Sequence, residues 1–153
     1  MQSIGLNNKT ILVTGAAGFI DANLVLKLLE KYDEPTIICI HNINDYYDMS
    51  IKEWRITRMG EAAKRQNEFA AEHSDSLWTF VKDSLADKKL ITLLFKEQKS
   101  NVVVNLSAQV GIRYSITNPD AYIESNPIGF YNIMEVYRHS CDNSRTEVQH
   151  LVY

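Results

Sequence analysis

Five short apolar runs punctuate the chain, at residues 10–14, 36–40, 77–82, 102–106 and 148–152. Each is nearly continuous in apolar residues rather than alternating, the pattern of strands buried on both faces of a parallel sheet. The segments between them carry helical spacing. Ile20, Leu24, Leu28 and Tyr32 form one stripe, thickened by Val25 and Leu29. Ile51, Trp54, Arg58, Met59, Ala62, Phe69 and Ala70 give a looser stripe on a longer, more polar helix. Ser84 with Asp87 resembles a capping box ahead of Leu90, Ile91, Leu94 and Phe95. Asn118-Pro119-Asp120 starts a helix with Pro at its first position, and Ile123, Pro127, Phe130, Met134 and Tyr137 then share one face. Pro127 lacks an N–H and crowds the carbonyl of Ile123, so a kink or break is expected there. Alternation of this kind predicts a doubly wound α/β sheet, with residues 1–153 as one domain and no internal repeat or linker.

Composition narrows the function classes. The net charge is −3 and the sequence pI about 5.8, which gives no reason to expect nucleic-acid binding. Apolar runs fall well short of a membrane span, and Met1–Lys9 lacks the layout of a signal peptide, so cytoplasm is the expected location. Cys39 lies inside an apolar run and is expected to be a buried small hydrophobe; Cys141 follows a helical stretch. Neither has metal-ligand spacing to a second Cys or His, so no metal site is expected.

The chemistry concentrates behind the first strand. Gly15-Ala-Ala-Gly18 follows Thr10–Thr14 and opens an amphipathic stretch. Gly15 permits a tight turn, Gly18 permits close approach of a phosphate, and the helix start aims free N–H groups at it. A strand before and a helix after make the glycine repeat more specific than it is alone.

Several segments carry a family resemblance. Thr14-Gly-Ala-Ala-Gly-Phe-Ile20 resembles the TGxxGFI start of extended short-chain dehydrogenases/reductases. Asn42–Asp48 with Ile51-Lys-Glu53 resembles the NLNDYYD…LKE segment of nucleotide-sugar epimerases. Phe80-Val-Lys82 with Leu85-Ala-Asp87, Val103–Ser115, Asn118–Tyr122 and Ser125-Asn126 continue in register. Together they resemble the UDP-glucuronate 4-epimerase branch over essentially the whole chain, matching only the N-terminal portion of such an enzyme. The resemblance implies a Rossmann-like fold, truncated, with about five strands in the order 3-2-1-4-5.

It also implies NAD as cofactor, held by Gly15, Ala17, Gly18, Phe19, Ile20, Asn42, Ser84, Leu85, Leu106, Ser107, Ala108 and Gln109. Arg113, Tyr114 and Ser115, on a loop, and Asn126 are implied as contacts to a UDP-sugar. In the family, NAD takes a hydride from C4 of the sugar and returns it to the other face, while a Tyr-x-x-x-Lys pair with a nearby Ser or Thr moves the hydroxyl proton. That pair follows the fifth strand in the family and does not occur in these residues, so no catalytic residue is assigned and the chain as written is not expected to epimerise.

Departures from the family pattern cluster on cofactor contacts. Asp21 stands where the third glycine would permit close helix–strand packing, and its carboxylate would repel a pyrophosphate; alternatively it merely favours the helix N-terminus. His41 stands where the family has the acidic residue for the adenosine ribose, and reads as a solvated residue at a strand end. Asp83-Ser84 replaces Gly-Asp, and Asn105 replaces a common histidine. The Tyr46-Tyr47 pair reads as packing or loop structure rather than a cofactor box. Three readings stay open: the cofactor-binding part of an epimerase, a degenerate non-enzymatic module that has lost NAD, and a subunit completed by another polypeptide. Self-association through exposed helices or a sheet edge is expected in each.

Overall fold

The structure is a computed structural model that describes residues 5–69, 77–141 and 148–153. Five strands, β1 (Thr10–Thr14), β2 (Thr36–His41), β3 (Trp78–Lys82), β4 (Val102–Asn105) and β5 (His150–Val152), form one sheet of order β3-β2-β1-β4-β5. All four pairings are parallel. The order is the one expected. The register sets Leu12 beside Ile38 and Val103, and Thr14 beside Ile40 and Asn105.

Successive side chains of a strand point to opposite faces, so each strand feeds two cores. Ile11, Val13, Ile37 and Cys39 pack with Val25, Leu28 and Leu29 of α1 (Phe19–Lys31) and with Met59 and Ala63 of α2 (Met49–Phe69). Leu12, Ile38, Ile40 and Val103 pack on the other face with Ile91, Leu94 and Phe95 of α3 (Lys88–Gln98) and with Ile133 and Val136. Apolar residues on both faces of the central strands explain why these runs are continuous. Cys39 is fully buried, as expected. The α2 stripe is met at Met59. Ala70 and the Phe69 side chain lie outside the described residues.

Three local expectations change. The N-cap of α3 is Asp87, whose carboxylate accepts the Leu90 N–H at 3.0 Å; Ser84 instead accepts the Ala86 N–H in a turn of its own. Arg113, Tyr114 and Ser115, expected on a loop, lie in the short helix α4 (Ile112–Thr117), followed by α5 (Pro119–Ile123) with Asn118 as its cap. Pro127 does not break the chain. It lies in a π-helical turn, Glu124–Ile128, that leads directly into α6 (Gly129–Cys141). The wider turn absorbs the missing N–H and the ring's crowding, where a regular α-turn would kink.

Candidate functional site

β1 and β4 are neighbours in the sheet, yet the chain leaves β1 toward one face and enters β4 from the other. This is the switch point at which open α/β sheets keep their ligand crevice, outside the carboxyl ends of the strands. A cavity of about 480 Å³ lies there. It is lined by the glycine turn, the end of β2 with Asn42 and Asn44, the first turns of α2, and Leu106–Val110 after β4. The volume falls within the range of small-molecule and cofactor sites.

The turn at its base is fixed by backbone geometry. Gly15 has φ +68, a left-handed conformation that side-chain-bearing residues adopt at a cost. A Cβ at Gly18 would come within 2.9 Å of the Gly15 carbonyl oxygen. Gly18 is also the N-cap of α1 and gives it no side-chain cap, so first-turn N–H groups remain for an anion. Ala16 N–H bonds the Ile40 carbonyl at 3.2 Å and anchors the turn to β2. On the opposite wall, the Thr14 hydroxyl donates to Asn105 Oδ1 at 2.7 Å and accepts the Ser107 N–H at 3.2 Å. Asn105 therefore ties the ends of β1 and β4 together.

Asp21 enters this cradle. It is only 6% exposed, and its Oδ2 lies 3.3 Å and 3.0 Å from where a Cβ at Gly15 and at Gly18 would sit. Its Oδ1 is buried with no hydrogen-bond partner. Burial pushes the carboxyl up to about 6, against the opposing pull of its own backbone N–H. Asp21 is thus more than a charge favouring the helix N-terminus: it occupies the inner side of the anion cradle.

The β2 end has the opposite character. His41 is half-buried rather than solvated, and its Nδ1 accepts the Ile43 N–H at 2.7 Å. Burial, then the charges of Lys52 and Arg55, push it down to about 4, so the ring is neutral near pH 7. Lys52 is 4% exposed and donates to the Asn44 carbonyl at 2.5 Å and to Asn44 Oδ1 at 2.8 Å. Arg55 Nη1 donates to the Ala17 carbonyl at 3.0 Å, with the guanidinium over the Phe19 ring. Among the described residues, neither cation is in a salt bridge.

The residues expected at the cofactor do not all meet in one place. Gly15, Gly18, Phe19, Ile20, Asn42, Leu106, Ser107, Ala108 and Gln109 line the main cavity. Ala17 is fully buried and reaches it only through the Arg55 bond. Ser84 and Leu85 line a smaller adjoining cleft that shares His41, Asn42, Ser107 and Ser125 with the main one.

Of the residues implied for a sugar, none lines the main cavity. Arg113, Tyr114 and Ser115 sit on α4, where Tyr114 stacks on Tyr46 with ring centroids 4.5 Å apart. Ser115 donates to the Ile112 carbonyl. Asn126 clamps the Gln109 backbone, accepting its N–H at 2.8 Å and donating to its carbonyl at 3.0 Å. Gln109 Oε1 in turn accepts from Asn44 at 3.0 Å, so a polar chain runs Lys52–Asn44–Gln109–Asn126. Tyr46 and Tyr47 pack edge to face, as expected, and also line the cavity. Lys52 and Arg55 went unassigned from the sequence. Their signal was two cations three apart in the opening turns of α2.

A parallel sheet of this order with a glycine turn at its switch point defines the Rossmann-like class of α/β domain. The chain belongs to the family described as GDP-mannose 4,6 dehydratase, whose family model matches residues 12–151. It is 39% identical over 143 residues to Protein CapI of Staphylococcus aureus, covering 94% of this chain and 36% of that protein. It is 35% identical over 130 residues to UDP-glucuronate 4-epimerase 4 of Arabidopsis thaliana, covering 85% of this chain and 26% of that protein. Among solved structures, a mutant UDP-glucuronic acid 4-epimerase from Bacillus cereus, in complex with UDP-4-deoxy-4-fluoro-glucuronic acid and NAD, shares the fold. Its TM-score is 0.65 at 24% identity, over 92% of this chain and 37% of that one. The chain thus spans between 24% and 39% of these curated relatives' own length, and the similarity covers their N-terminal part. No helix among the described residues is long and apolar enough to cross a membrane.

Proposed function

We propose that these residues form the cofactor-binding part of a nucleotide-sugar epimerase or dehydratase, and that the cavity at the switch point takes a nicotinamide dinucleotide, with NAD as the family's cofactor. The observation that carries this reading is the convergence of the uncapped α1 start, the β2 end and the Leu106–Gln109 turn on one cavity. When bound, the dinucleotide supplies hydride transfer. This chain's own residues bind and orient it. The Gly15–Gly18 amides face the pyrophosphate, Asn42 and Asn44 face the adenosine ribose, and Ser107–Gln109 guide the cofactor past β4. Ser84 and Leu85 sit beside the adenine. Arg113, Tyr114 and Ser115 face a UDP-sugar only in the complete protein, and Asn126 acts by holding Gln109. Epimerisation by these 153 residues alone is not expected, since the sequence contains no Tyr-x-x-x-Lys.

Calorimetric titration with NAD⁺ and NADH, checked by the shift in melting temperature, tests the reading. Micromolar binding supports it. A cooperative melt with no binding at millimolar ligand supports the second reading, a folded module that has lost its nucleotide. One feature specifically favours that alternative: the buried Asp21 carboxyl beside the phosphate cradle.

The exposed apolar residues Ile112, Ile116, Ile123 and Phe130 form the surface proposed for self-association with a second copy. A concentration-dependent increase in mass in analytical ultracentrifugation is expected. A clean monomer at high concentration counts against it.

A further inference from the structure

Asp21 is an acid that the free chain leaves incompletely bonded. It lines the cavity at the start of α1, is almost wholly buried, and its Oδ1 has no hydrogen-bond partner. A carboxylate in the first turn of a helix commonly returns to the N-cap N–H. Here that donor is taken, because the Gly18 N–H bonds the Gly15 carbonyl at 2.6 Å. A buried polar atom without a partner costs free energy, and a ligand in the cleft can supply the partner.

The elements packed around Asp21 do not hold its charge in place. From α2, Arg55 bonds the Ala17 carbonyl and lies over the Phe19 ring, while Lys52 is held by Asn44. From β2 come Cys39, whose thiol burial pushes up to about 12, and His41, which burial pushes down to about 4. Both therefore keep one protonation state between about pH 5 and pH 8. β1 and β4 bring no titratable side chain. Two turns along α1, Lys27 and Glu30 pair with each other. Among the described residues, no salt bridge reaches Asp21.

A dinucleotide entering the cradle acts on this carboxyl twice in the same direction. It displaces water, and it sets a negative pyrophosphate against the glycine turn, where Oδ2 lies 3.0 Å from a Cβ position at Gly18. Desolvation and a like charge each favour the neutral acid. Burial has already raised the free carboxyl to about 6, so little further free energy protonates it near neutral pH. Once protonated it carries an O–H donor, and the phosphate offers acceptors.

Resting on the dinucleotide reading above, we infer that the cleft takes up its ligand together with a proton: Asp21 enters the complex as a neutral carboxyl and donates its hydrogen to a pyrophosphate oxygen. The proton comes from solvent, and no covalent bond of the ligand changes. Asp21 is then a binding contact in acid and an obstacle in alkali, and affinity falls as pH rises through the carboxyl's range.

The test is calorimetric titration of NAD⁺ into the full chain, in two buffers of different ionisation enthalpy, neither of them phosphate. The difference between their heats counts the protons bound. At pH 7 wild type is expected to take up about one proton per NAD⁺, and to bind about tenfold more weakly than at pH 5. D21N keeps the shape and an N–H donor but does not titrate. It is expected to take up no proton, to bind equally at both pH values, and to match wild type at pH 5. A role for Asp21 in packing alone moves no protons. NAD⁺ binding without proton uptake by wild type, or uptake that persists in D21N, overturns the inference and leaves the dinucleotide reading standing. No binding to wild type at pH 5 or to D21N, in proteins that melt cooperatively, overturns both.

Discussion

The two ends of the cleft carry opposite charge. At the glycine turn, an anion cradle of backbone amides is faced from within by a buried carboxyl, Asp21, whose Oδ1 has no partner. At the end of β2, two cations line the wall and, among the described residues, no carboxylate is bonded to either. Backbone geometry is intact at both ends: Gly15 keeps its left-handed φ, and β2 keeps register with β1 through Ile40. What differs is side-chain charge laid over that backbone. The fold is set by burial of apolar faces, which neither residue disturbs. In the proposed reading, affinity for a dinucleotide is set by a few charges that can change without unfolding anything.

The comparison can be broken most severely at the turn itself. Gly15→Val places a branched side chain at a positive φ, against the Cα of Ser107, which would lie 3.1 Å from its Cβ. It is expected to weaken every dinucleotide by about a hundredfold or more, and to cost about 1–3 kcal/mol of stability. Calorimetry and urea denaturation read the two effects. Unchanged affinity would place the ligand elsewhere.

A milder change removes the opposing carboxyl. Asp21→Gly is expected to tighten NAD⁺ and NADH alike by about tenfold at neutral pH, because the pyrophosphate is common to both. The gain is expected to shrink below the carboxyl's pKa of about 6, where the wild-type group is already protonated. A gain that persists undiminished at acid pH would mean that bulk, not charge, is what Asp21 brings to the turn.

A separate effect is in stability against pH, where the two ends pull in opposite directions. Asp21 has its carboxyl raised from 3.8 to about 6, so its contribution to stability is fully present below 3.8 and is lost as pH rises through 6. His41 is lowered from 6.5 to about 4, so its contribution is present above 6.5 and is lost as pH falls through 4. Between these limits the two slopes offset each other. Asp21→Asn leaves His41 unopposed, and stability is expected to climb more steeply from acid to neutral pH, by about 2 kcal/mol relative to wild type. Urea denaturation across that range checks it. Parallel curves for the two proteins would mean that Asp21 titrates normally in the fold.

Much of this was legible in the sequence, and the boundary follows physical lines. The three central strands could be read because each is buried and largely apolar on both faces, and the turn because Gly15 and Gly18 sit between a strand and a helix. The helix α4 could not. It is six residues long, starts at Gly111 without a side-chain cap, and leaves Ile112 85% exposed, so it carries no amphipathic stripe. Its support is tertiary, from Tyr114 against Tyr46 and from the Tyr122 hydroxyl to the Gly111 carbonyl.

Pro127 reads as a kink or break because sequence rules assume α-helical spacing, and the structure departs from that spacing there through a π-turn that keeps the chain helical. At the cleft, Asp21 and His41 stood out as substitutions in a pattern. The setting that gives each its meaning, a buried unpaired oxygen for one and neighbouring cations for the other, required the fold. Lys52 shows the limit most clearly. A lysine on a polar helix reads as solvated, and only the placement of α2 across the strand ends makes it a buried charge.

The central claim is that this cleft binds a nicotinamide dinucleotide, with Asp21 opposing the pyrophosphate independently of what happens at His41, Lys52 and Arg55. The most direct measurement is the dissociation constant of NAD⁺ for wild type, D21G, H41D and the double variant at neutral pH, in one calorimetric series. The account predicts that each single change tightens NAD⁺ and that their free energies add in the double variant. Four proteins that melt cooperatively yet show no NAD⁺ binding would contradict it.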